Sequence, residues 1–470
     1  MKKGIGMMNQ VNSTEKVDKF IIPSGALKVL NVLKASDFEA WLVGGCVRDH
    51  LMGLPPKDFD VATNATADRV IASFEGFRVI ETGLKHGTVT VLSDGIPVEV
   101  TTYRVDGEYS DGRHPDSVEF TSDIRDDLSR RDFTVNAMAY SPEKGYLDYF
   151  GGRDDLINQI IRCVGDPDRR FGEDALRILR ALRFASRLGF EIEPATAQAI
   201  HRCRGLLAKI AVERITQELF GLLCGSHAGD VMRQFSDVIE QIIPPIGKTF
   251  GFEQHNPHHD FDVWEHTLRV VDAAPPDRIM RLAALLHDIG KPDCFSMDSN
   301  GIGHFYGHAA RSREMAEGIF DQYIRTDNRT KERVLFLVER HDEKILPDRR
   351  FIRRRLSKYG EEATRQLFAL SRADLAGQAQ SLAGEILAAL DEAEKILDEL
   401  VGESLCLTLR DLAINGGDLM AMGIPKGPEI GRILNALLAE VCEETLCNSS
   451  DSLRKRAAAL ADLSRLKVEG

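Results

Sequence analysis

Residues 42–49, with the sequence LVGGCVRD, and residues 57–63, with the sequence KDFDVAT, decide the fold of the first part of this chain. The apolar run that ends at Val43 predicts a short strand, and residues 46–52 predict a helix. Gly44 and Gly45 between them predict a tight turn, where backbone N–H groups at the helix N-terminus can approach a phosphate closely. The first segment therefore predicts a phosphate cradle.

Asp58 and Asp60 provide the second half of the expected site. They lie two apart in a strand-like run, so both carboxylates point to one face. Two acids beside a phosphate cradle suit a pair of divalent metals that align an attacking oxygen with a triphosphate. Taken alone, the two glycines also fit a plain turn, and the two aspartates also fit a solvated Asp-x-Asp pair. Their order and closeness favour nucleotidyl transfer.

A third acid is expected from a later strand. Glu99 lies between Val98 and Val100 in an alternating segment, and therefore faces away from the two valines. It is a candidate metal-facing acid and, with Asp58 and Asp60, a candidate catalytic residue. A plain surface glutamate on a strand is the alternative.

The composition bounds the class of protein. With 470 residues the chain is too long for one core, and 43% hydrophobic and 7% aromatic residues are typical of ordinary soluble domains. No apolar run reaches the roughly 18 residues of a membrane helix, and no secretory signal is visible. The eight cysteines form no C-x-x-C pair, which indicates a reducing cytoplasm. The net charge of −13 argues against a non-specific nucleic-acid coat.

Residues 130–137, RRDFTVNA, form the next candidate binding segment. Phe133, Val135 and Ala137 alternate with polar residues, which predicts a polar face that meets a nucleotide. Arginine suits phosphate, whereas aspartate and asparagine suit ribose hydroxyls. Surface salt bridges are the alternative. The preceding residues 109–115 are rich in turn formers and predict a mobile loop.

Residues 171–184, FGEDALRILRALRF, are amphipathic at helical period and predict one helix. Asp174 and Arg177 are three apart and are expected to share a face of it. Such a pair is usually a solvated ion pair worth a few tenths of a kcal/mol. Arginine recurs at Arg180 and Arg183, however, which is too many cations for one acid.

Imidazoles and carboxylates recur through the helical second half. His287 and Asp288 end an apolar helix, an unusual place for two polar groups unless something binds there. Helical folds build metal sites from ligands on successive helices, whereas a lone histidine is more often a satisfied core residue. The predicted metal ligands are His266, His287, Asp288, His308, His341 and Asp374.

Residues 41 to about 225 resemble the bacterial tRNA nucleotidyltransferases, or CCA-adding enzymes, and their poly(A) polymerase relatives. The resemblance rests on LVGGCVRD with KDFDVAT, YSDGRHPD at 109–116, RRDFTVNAMA from residue 130 and RFGEDALRILRALRF from residue 170. It implies an α+β fold that begins with a polymerase-β-like nucleotidyltransferase head, a mixed sheet with helices. An all-α neck and body, an α-helical HD domain and a helical tail would follow.

The resemblance also implies roles for individual residues. Asp58 and Asp60 would hold Mg²⁺, and Arg131 and Asp132 would contact triphosphate and ribose. The other nucleotide-binding residues would be Gly44, Gly45, Arg48, Asn136, Asp174, Arg177, Arg180 and Arg183.

Within that set, Asp174 and Arg177 would read the base. Cytosine and adenine both present an amine donor beside a ring-nitrogen acceptor, which a carboxylate and a guanidinium match. Uracil and guanine present the reverse pattern, so one site can accept C and A without a template. The loop at 109–115 would permit the switch to A.

Residues 255–374 resemble the HD metal-dependent phosphohydrolases. The match lies in the order His266, His287-Asp288, His308, His341 and Asp374, the fuller set of two-metal members. Imidazole with carboxylate suits Mn, Fe, Co or Ni better than Mg alone. The resemblance leaves the activity and the substrate of this site open.

These readings predict five segments and one main function. The segments are a flexible N-terminus at 1–22, a nucleotidyltransferase head at 23–152, a helical neck and RNA-binding body at 153–250, an HD domain at 251–400 and a helical, tRNA-binding tail at 401–470. The predicted function is template-independent addition or repair of the 3′-terminal CCA of tRNA from CTP and ATP, in the cytoplasm and without a membrane.

Two alternatives stay open. The same chemistry would serve poly(A) tailing, or addition of CC or A alone. A reading of another class is an HD phosphohydrolase that uses the N-terminal half only to dock RNA. Intact Asp58 and Asp60 argue against that reading.

Overall fold

The computed structural model describes residues 20–107, 117–256, 260–378, 380–403 and 408–468. The predicted mobile loop at 109–115 lies outside these ranges. The chain divides into two compact units, the first made of residues 1–185 with 189–210 and the second of residues 186–188 with 211–470.

A seven-stranded mixed sheet organises the first unit. The strands of this unit are β1 Ala40–Val43, β2 Phe59–Thr63, β3 Arg78–Gly83, β4 Thr88–Ser93, β5 Ile96–Thr102, β6 Arg104–Asp106, β7 Val118–Phe120, β8 Met138–Ser141, β9 Gly145–Asp148, β10 Ile160–Ile161 and β11 Glu191–Ile192. The order in the sheet is β3-β4-β5-β2-β1-β8-β9, and only β2 and β5 run parallel. The predicted mixed sheet is therefore confirmed.

Helices surround this sheet and follow it along the chain. They are α1 Ser24–Ala35, α2 Gly45–Leu51, α3 Ala67–Ser73, α4 Ile124–Ser129, α5 Gly152–Ile157, α6 Pro167–Glu173, α7 Leu176–Leu188 and α8 Pro194–Cys203. The strand–turn–helix order predicted around Gly44 is the observed β1–α2 connection.

Alternation along the central strands gives the sheet two faces. Leu42 and Val61 point into the larger core, whereas Ala62 points into a smaller core on the opposite face. Because side chains alternate along a strand, Asp60 shares the face of Ala62. Glu99 lies between two valines of the larger core and therefore faces the same way as Asp60.

The single helix predicted over residues 171–184 is wrong, because the chain breaks at Asp174. α6 ends at Glu173, Asp174 is extended with φ −141° and ψ 103°, and α7 begins at Leu176. The carboxylate of Asp174 accepts a hydrogen bond from the Leu176 N–H over 3.0 Å. Aspartate favours such local bonds at helix starts, and they compete with a continuous helix. Asp174 and Arg177 therefore do not share a face of one helix.

The alternating residues 130–137 do not form a strand in the structure, and their predicted contact with a nucleotide stays a prediction. Thr134–Asn136 form a 3-10 turn, and both polar residues of the turn are buried. The Thr134 hydroxyl donates to the carboxylate of Asp155 over 2.6 Å, so it serves the core. Local side-chain hydrogen bonds overrode the period-two pattern here.

The described residues of the second unit are mainly helical, with one short hairpin. Its helices are α9 Val212–Leu223, α10 Ala228–Gln234, α11 Ser236–Ile242, α12 Val263–Ala273, α13 Arg278–Leu286, α14 His308–Gln322, α15 Asn328–Arg340, α16 Arg349–Asp374, α17 Gln380–Gly402, α18 Gly416–Ala421, α19 Pro428–Cys442 and α20 Ser450–Val468. The hairpin pairs β12 Ser296–Met297 with β13 Gly303–His304. α16 is kinked at Gly360, where φ is 78°.

Three features complete this unit. α16 and α17 share one apolar core, and residues 412–461 form another. α9 to α11, which the sequence assigned to a neck, belong to the same compact unit as α12. None of the described helices is long and apolar enough to cross a membrane. The segment boundaries drawn from the sequence stay predictions.

Candidate active sites

Three carboxylates come together at one end of the sheet in the first unit. Parallel register pairs Asp60 of β2 with Glu99 of β5. Antiparallel register places Val43, the last residue of β1, opposite Asp60. Asp58 is exposed and directly precedes β2. The sheet therefore brings the three predicted acids next to the predicted glycine turn.

The electrostatics of these acids are consistent with their predicted role as cation ligands. The pKa of Asp60 is raised to about 6, with burial as the largest cause and repulsion by Glu99 and Asp58 as further causes, while Arg131 opposes the shift. Carboxylates that repel one another gain most from a hard divalent cation between them. The donor set fits Mg²⁺.

The glycine turn lies directly against an arginine. Gly44 has φ 74° and ψ −130°, and a Cβ added there would come within 2.8 Å of Nη1 of Arg131. Nη2 of Arg131 lies 3.4 Å from the fully buried carboxylate of Asp127. Nε of Arg131 is buried and makes no hydrogen bond within the described part of the chain. The guanidinium is thus held at the turn with a donor to spare.

Asp132 is the centre of a hydrogen-bonded network. Its Oδ2 accepts hydrogen bonds from Nε and Nη2 of Arg180 over 2.9 and 2.5 Å. Its Oδ1 accepts from Nδ2 of Asn136 over 3.1 Å and from the Phe133 N–H over 2.8 Å. Asn136 in turn accepts from Nη1 of Arg48 over 2.6 Å. Both oxygens of Asp132 are engaged by protein groups, so its predicted contact with ribose stays a prediction.

This network keeps Asp132 ionised. Burial alone would raise the pKa of Asp132, but attraction and hydrogen bonds from Arg180, with those from Asn136 and the Phe133 N–H, lower it to about 2. The carboxylate is therefore a permanent anchor for Arg180 at neutral pH.

The arginines predicted to bind nucleotide gather around one aromatic ring. The guanidinium carbons of Arg48, Arg180 and Arg183 lie 5.2, 5.7 and 4.3 Å from the centroid of Phe184. The rings of Phe133 and Phe184 are nearly perpendicular, with centroids 5.8 Å apart. The sequence analysis marked the recurring arginines but gave no role to Phe184.

Arg177 is turned inward by a residue that the sequence analysis overlooked. Its Nη1 donates to Oε2 of Glu173 over 2.8 Å and to the Arg170 carbonyl over 3.1 Å. Its Nη2 donates to the Arg130 carbonyl over 3.0 Å. Glu173 directly precedes Asp174 in the EDALR run, and this position is the sequence feature that could have indicated its role. The base-reading role of Arg177 and Asp174 stays a prediction.

The second unit gathers all six predicted metal ligands. The donor atoms of His266, His287, Asp288 and Asp374 lie within 4.8 Å of one another, and those of Asp288, His308 and His341 form a second such group. Asp288 belongs to both groups and bridges them. The ligands come from α12, the end of α13, the start of α14, the end of α15 and the end of α16.

Distances within the first group match a coordination shell. Nε2 of His266 lies 3.0 Å from Oδ1 of Asp374 and 3.3 Å from Oδ2 of Asp288. Nε2 of His287 lies 3.2 Å from the same Asp288 oxygen. Ligand atoms about 2.1 Å from a shared metal are separated by roughly 3.0 to 3.4 Å in octahedral and tetrahedral shells.

The second group contains an unsatisfied buried oxygen. Oδ1 of Asp288 is buried and receives no hydrogen bond from the described residues, although Nε2 of His308 lies 3.3 Å away and Nε2 of His341 3.4 Å away. These two nitrogens are themselves 3.1 Å apart. A cation would satisfy all three atoms.

Backbone carbonyls fix the orientation of all four imidazoles. Each Nδ1 lies within 2.7 to 2.9 Å of a carbonyl oxygen, and those carbonyls belong to Gly377, Ala284, Phe305 and Val338. Nδ1 therefore donates to a carbonyl and every Nε2 points to the centre, as is typical of histidines that bind a metal. Burial lowers the pKa of His287, but Asp288 and Asp374 outweigh it and raise the pKa to about 10. A bound cation would replace such protons.

Family profiles match three parts of the chain. The profile described as "Poly A polymerase head domain" matches residues 40–162, and "Probable RNA and SrmB- binding site of polymerase A" matches residues 189–243. A third, "tRNA nucleotidyltransferase domain 2 putative", matches residues 325–457.

Several relatives of this chain are CCA-adding enzymes, and one of them matches over nearly its whole length. The chain is 33% identical to the CCA-adding enzyme of Limosilactobacillus fermentum over 93% of this chain and 96% of that protein. It is 48% identical to the CCA-adding enzyme of Geobacillus stearothermophilus over 43% of this chain and 50% of that protein. The crystal structure of the Bacillus stearothermophilus CCA-adding enzyme in complex with CTP superposes with a TM-score of 0.72 at 28% identity, covering 96% of this chain and all of that one.

Proposed function

Because the chain belongs to the family of CCA-adding enzymes, we propose that it is a template-independent tRNA nucleotidyltransferase that adds or repairs the 3′-terminal CCA of tRNA from CTP and ATP. The tRNA 3′-hydroxyl attacks the α-phosphorus of the nucleotide, and pyrophosphate leaves. We place this activity in the cytoplasm, where the seven cysteines that the structure describes as free thiols would stay reduced.

The observation that carries the proposal is the register between Asp60 and Glu99 beside the Gly44 turn. This register supports a site in which the acids and the phosphate cradle lie together at one end of the sheet. Asp58, Asp60 and Glu99 would hold Mg²⁺. When bound, this ion would neutralise charge on the triphosphate and the attacking oxygen.

The remaining residues of the first unit position the nucleotide. The guanidinium of Arg131, whose Nη1 lies at Gly44, suits a triphosphate oxygen, because it carries the charge and the N–H donors that bind phosphate. Its buried Nε makes no hydrogen bond with the described residues. The Asp132 network holds Arg48 and Arg180 in place. The proposed base readers, Asp174 and Arg177, come from the α6–α7 break.

The test uses tRNA that lacks its CCA end. The pure protein is incubated with this tRNA and each labelled nucleotide, and the products are sequenced. Addition of C, C and then A supports the proposal. Continued A addition would indicate a poly(A) polymerase, and arrest after CC, or A addition alone, would indicate the restricted relatives.

A matched pair of variants ties the activity to the acids. Asp60→Asn should reduce incorporation by at least about 10³-fold, since a lost ligand of a two-metal site costs several kcal/mol of transition-state stabilisation. Asp68→Asn, an exposed acid in the first turn of α3, is the control and should retain full activity. Incorporation by Asp60→Asn at the control rate would remove the proposed metal site.

A second function is favoured by the bridged histidine cluster. We propose that the second unit is an HD-type phosphohydrolase whose two metals are held by the six ligands, with Mn, Fe, Co or Ni as the metal class. With water as the nucleophile, such a site would cleave the P–O3′ bond at a damaged tRNA 3′ end, releasing phosphate from a 3′-phosphate or opening a 2′,3′-cyclic phosphate to a 2′-phosphate. The 3′-hydroxyl needed by the first unit would then be available.

Two measurements test the phosphohydrolase. Metal analysis of the purified protein should find a transition metal near two ions per chain, and a 2′,3′-cyclic phosphate substrate should be hydrolysed. If the protein binds no metal and neither opens the cyclic phosphate nor releases phosphate under any divalent ion, these helices have a structural role alone.

A further inference from the structure

A cavity of about 800 Å³ opens beside the histidine cluster in the second unit. Four of the six metal-ligand side chains line its floor: Asp288, His308, His341 and Asp374. A volume of this size accommodates a ligand as large as a nucleotide, far more than an inorganic phosphate needs.

Apolar side chains that are exposed to solvent form part of the wall. Tyr306 is 80% exposed, Leu346 49% and Ile386 41%, and all three line this cavity. Large apolar groups gathered at one cavity beside charged ligands indicate a bound molecule with an apolar face. A phosphate ester that carries no base or other apolar group has no such face.

Tyr306 has the geometry of a stacking platform. Its ring lies nearly parallel to the ring of His304, with an interplanar angle of 10° and centroids 5.3 Å apart. Nε2 of His304 lies 3.1 Å from Oδ2 of Asp298, whose other oxygen accepts from the N–H groups of Asn300 and Ile302. The β12–β13 hairpin therefore fixes His304, and His304 backs Tyr306.

The position of Tyr306 suits a base attached to a reacting phosphate. Tyr306 lies two residues before His308, a ligand on the cavity floor. Asp342 and Glu385 line the cavity, but so do Lys291 and Lys344, so its wall carries charges of both signs. The volume of the cavity suits one nucleotide.

Resting on the phosphohydrolase proposed above, we propose that Tyr306, backed by His304, stacks on the base of the substrate of the second site. The substrate class is then a nucleoside phosphate, either a free nucleotide or the phosphorylated 3′ end of an RNA strand. Each aromatic–base stack typically contributes enough to change binding about tenfold.

The test compares Tyr306→Ala with Tyr306→Phe in the full chain. Guanosine 3′-monophosphate is the binding probe, since the first unit is expected to reject guanine, and its affinity is measured by calorimetry. Tyr306→Ala should weaken binding about tenfold, and Tyr306→Phe should bind as the unmodified chain does. Met297→Ala is the control, because Met297 is 52% exposed on the same hairpin but does not line the cavity.

Hydrolysis separates this inference from the function on which it rests. Ribose 5-phosphate carries the sugar phosphate without a base, so its hydrolysis should not change in Tyr306→Ala, whereas the KM for guanosine 3′-monophosphate should rise. If the unmodified chain hydrolyses neither ester, the phosphohydrolase fails, and the binding comparison alone decides the role of Tyr306. Unchanged nucleotide binding in Tyr306→Ala, or an equal loss with both esters, would overturn the platform.

A third arm distinguishes the two sources of the nucleotide. An RNA oligonucleotide with a 3′-phosphate should be hydrolysed at a lower KM than the mononucleotide if RNA ends are the substrate, and at a higher KM if free nucleotides are. Tyr306→Ala should raise the KM of the preferred form in either case. An oligonucleotide KM that does not depend on Tyr306, with the mononucleotide equally unaffected, would contradict the platform.

Discussion

Glycine is required at position 44 for two separate reasons. Its φ of 74° disfavours any side chain, and a Cβ there would meet Nη1 of Arg131 at 2.8 Å. We predict that Gly44→Ala displaces the guanidinium and raises the KM for CTP and ATP by roughly tenfold or more, as expected for a lost charge-assisted contact to phosphate.

Gly53 provides the matched control for this prediction. It has a φ of +70°, but a Cβ there would meet nothing within 4 Å. Gly53→Ala should therefore lose stability by about 1 kcal/mol without a change in KM. Nucleotide kinetics and thermal unfolding of both variants separate the backbone strain from the displaced arginine. Equal KM values in the two variants would contradict the cradle.

Asp132 makes stability depend on pH. Its pKa is lowered from 3.8 to about 2 in the folded protein, so the ionised form stabilises the fold above pH 3.8, and this contribution is lost as the pH falls toward 2. We predict that Asp132→Asn lowers the free energy of unfolding at pH 7 by on the order of 2 kcal/mol. Urea unfolding at several pH values should show the difference between the two proteins shrinking below pH 4.

An exposed pair of similar shape tests whether burial causes this effect. Asp168 accepts hydrogen bonds from Nε and Nη2 of Arg202 over 3.1 and 2.6 Å, but both side chains are about half exposed. Asp168→Asn should change stability little, because solvent screens exposed ion pairs. An Asp168→Asn effect as large as that of Asp132→Asn would show that burial is not the cause.

At the scale of elements, the structure differs from the helical sequence pattern at the α6–α7 break. Residues 171–184 carry a helical pattern of apolar residues, and α7 keeps it. Period alone does not reveal that the Asp174 carboxylate bonds the Leu176 N–H and starts a new helix. Conversely, the face of Glu99 was predictable, because alternation about Val98 and Val100 fixes it, whereas the pairing of Glu99 with Asp60 was not.

Asp174 has two proposed roles at this break, a helix cap and a base reader, and variants can separate them. Asp174→Asn keeps an oxygen that can accept from Leu176 N–H, whereas Asp174→Ala loses it and should cost about 1 kcal/mol of stability. If Asp174 also reads the base, Asp174→Ala should use UTP and GTP better relative to CTP and ATP. Competition between nucleotides on tRNA that lacks CCA measures this, and unchanged choice with lowered stability would leave Asp174 as a cap alone.

At the scale of the whole molecule, the metal ligands of the second unit span residues 266 to 374 in sequence. Their residue types and order predicted one cluster, and the structure brings all six together. What the sequence did not show is the bridging by Asp288 and the four carbonyls that orient the imidazoles. Backbone carbonyls carry no residue identity, so no pattern in the sequence reports them.

The two candidate sites lie in different compact units, which leads to the last prediction. The variant His287→Ala/Asp288→Ala removes one imidazole and the bridging carboxylate, so it should lose bound transition metal and any phosphohydrolase activity. It should still add CCA to a tRNA that ends in a 3′-hydroxyl, because Asp58, Asp60 and Glu99 belong to the first unit. A tRNA that ends in a 2′,3′-cyclic phosphate should remain unextended by the variant and be extended by the unmodified chain.

Asp288→Asn is the control for misfolding of the double variant. It retains the size of the side chain but weakens the bridge between the two metal groups, and thermal unfolding of both variants reports whether the second unit is intact. CCA addition that is lost in a folded variant would mean that the second unit contributes to nucleotide transfer. Extension of the cyclic-phosphate tRNA by the double variant would mean that end repair, if it occurs, does not use this cluster. The outcome with the 3′-hydroxyl tRNA therefore tests separability, and the outcome with the cyclic phosphate tests the order of the two activities.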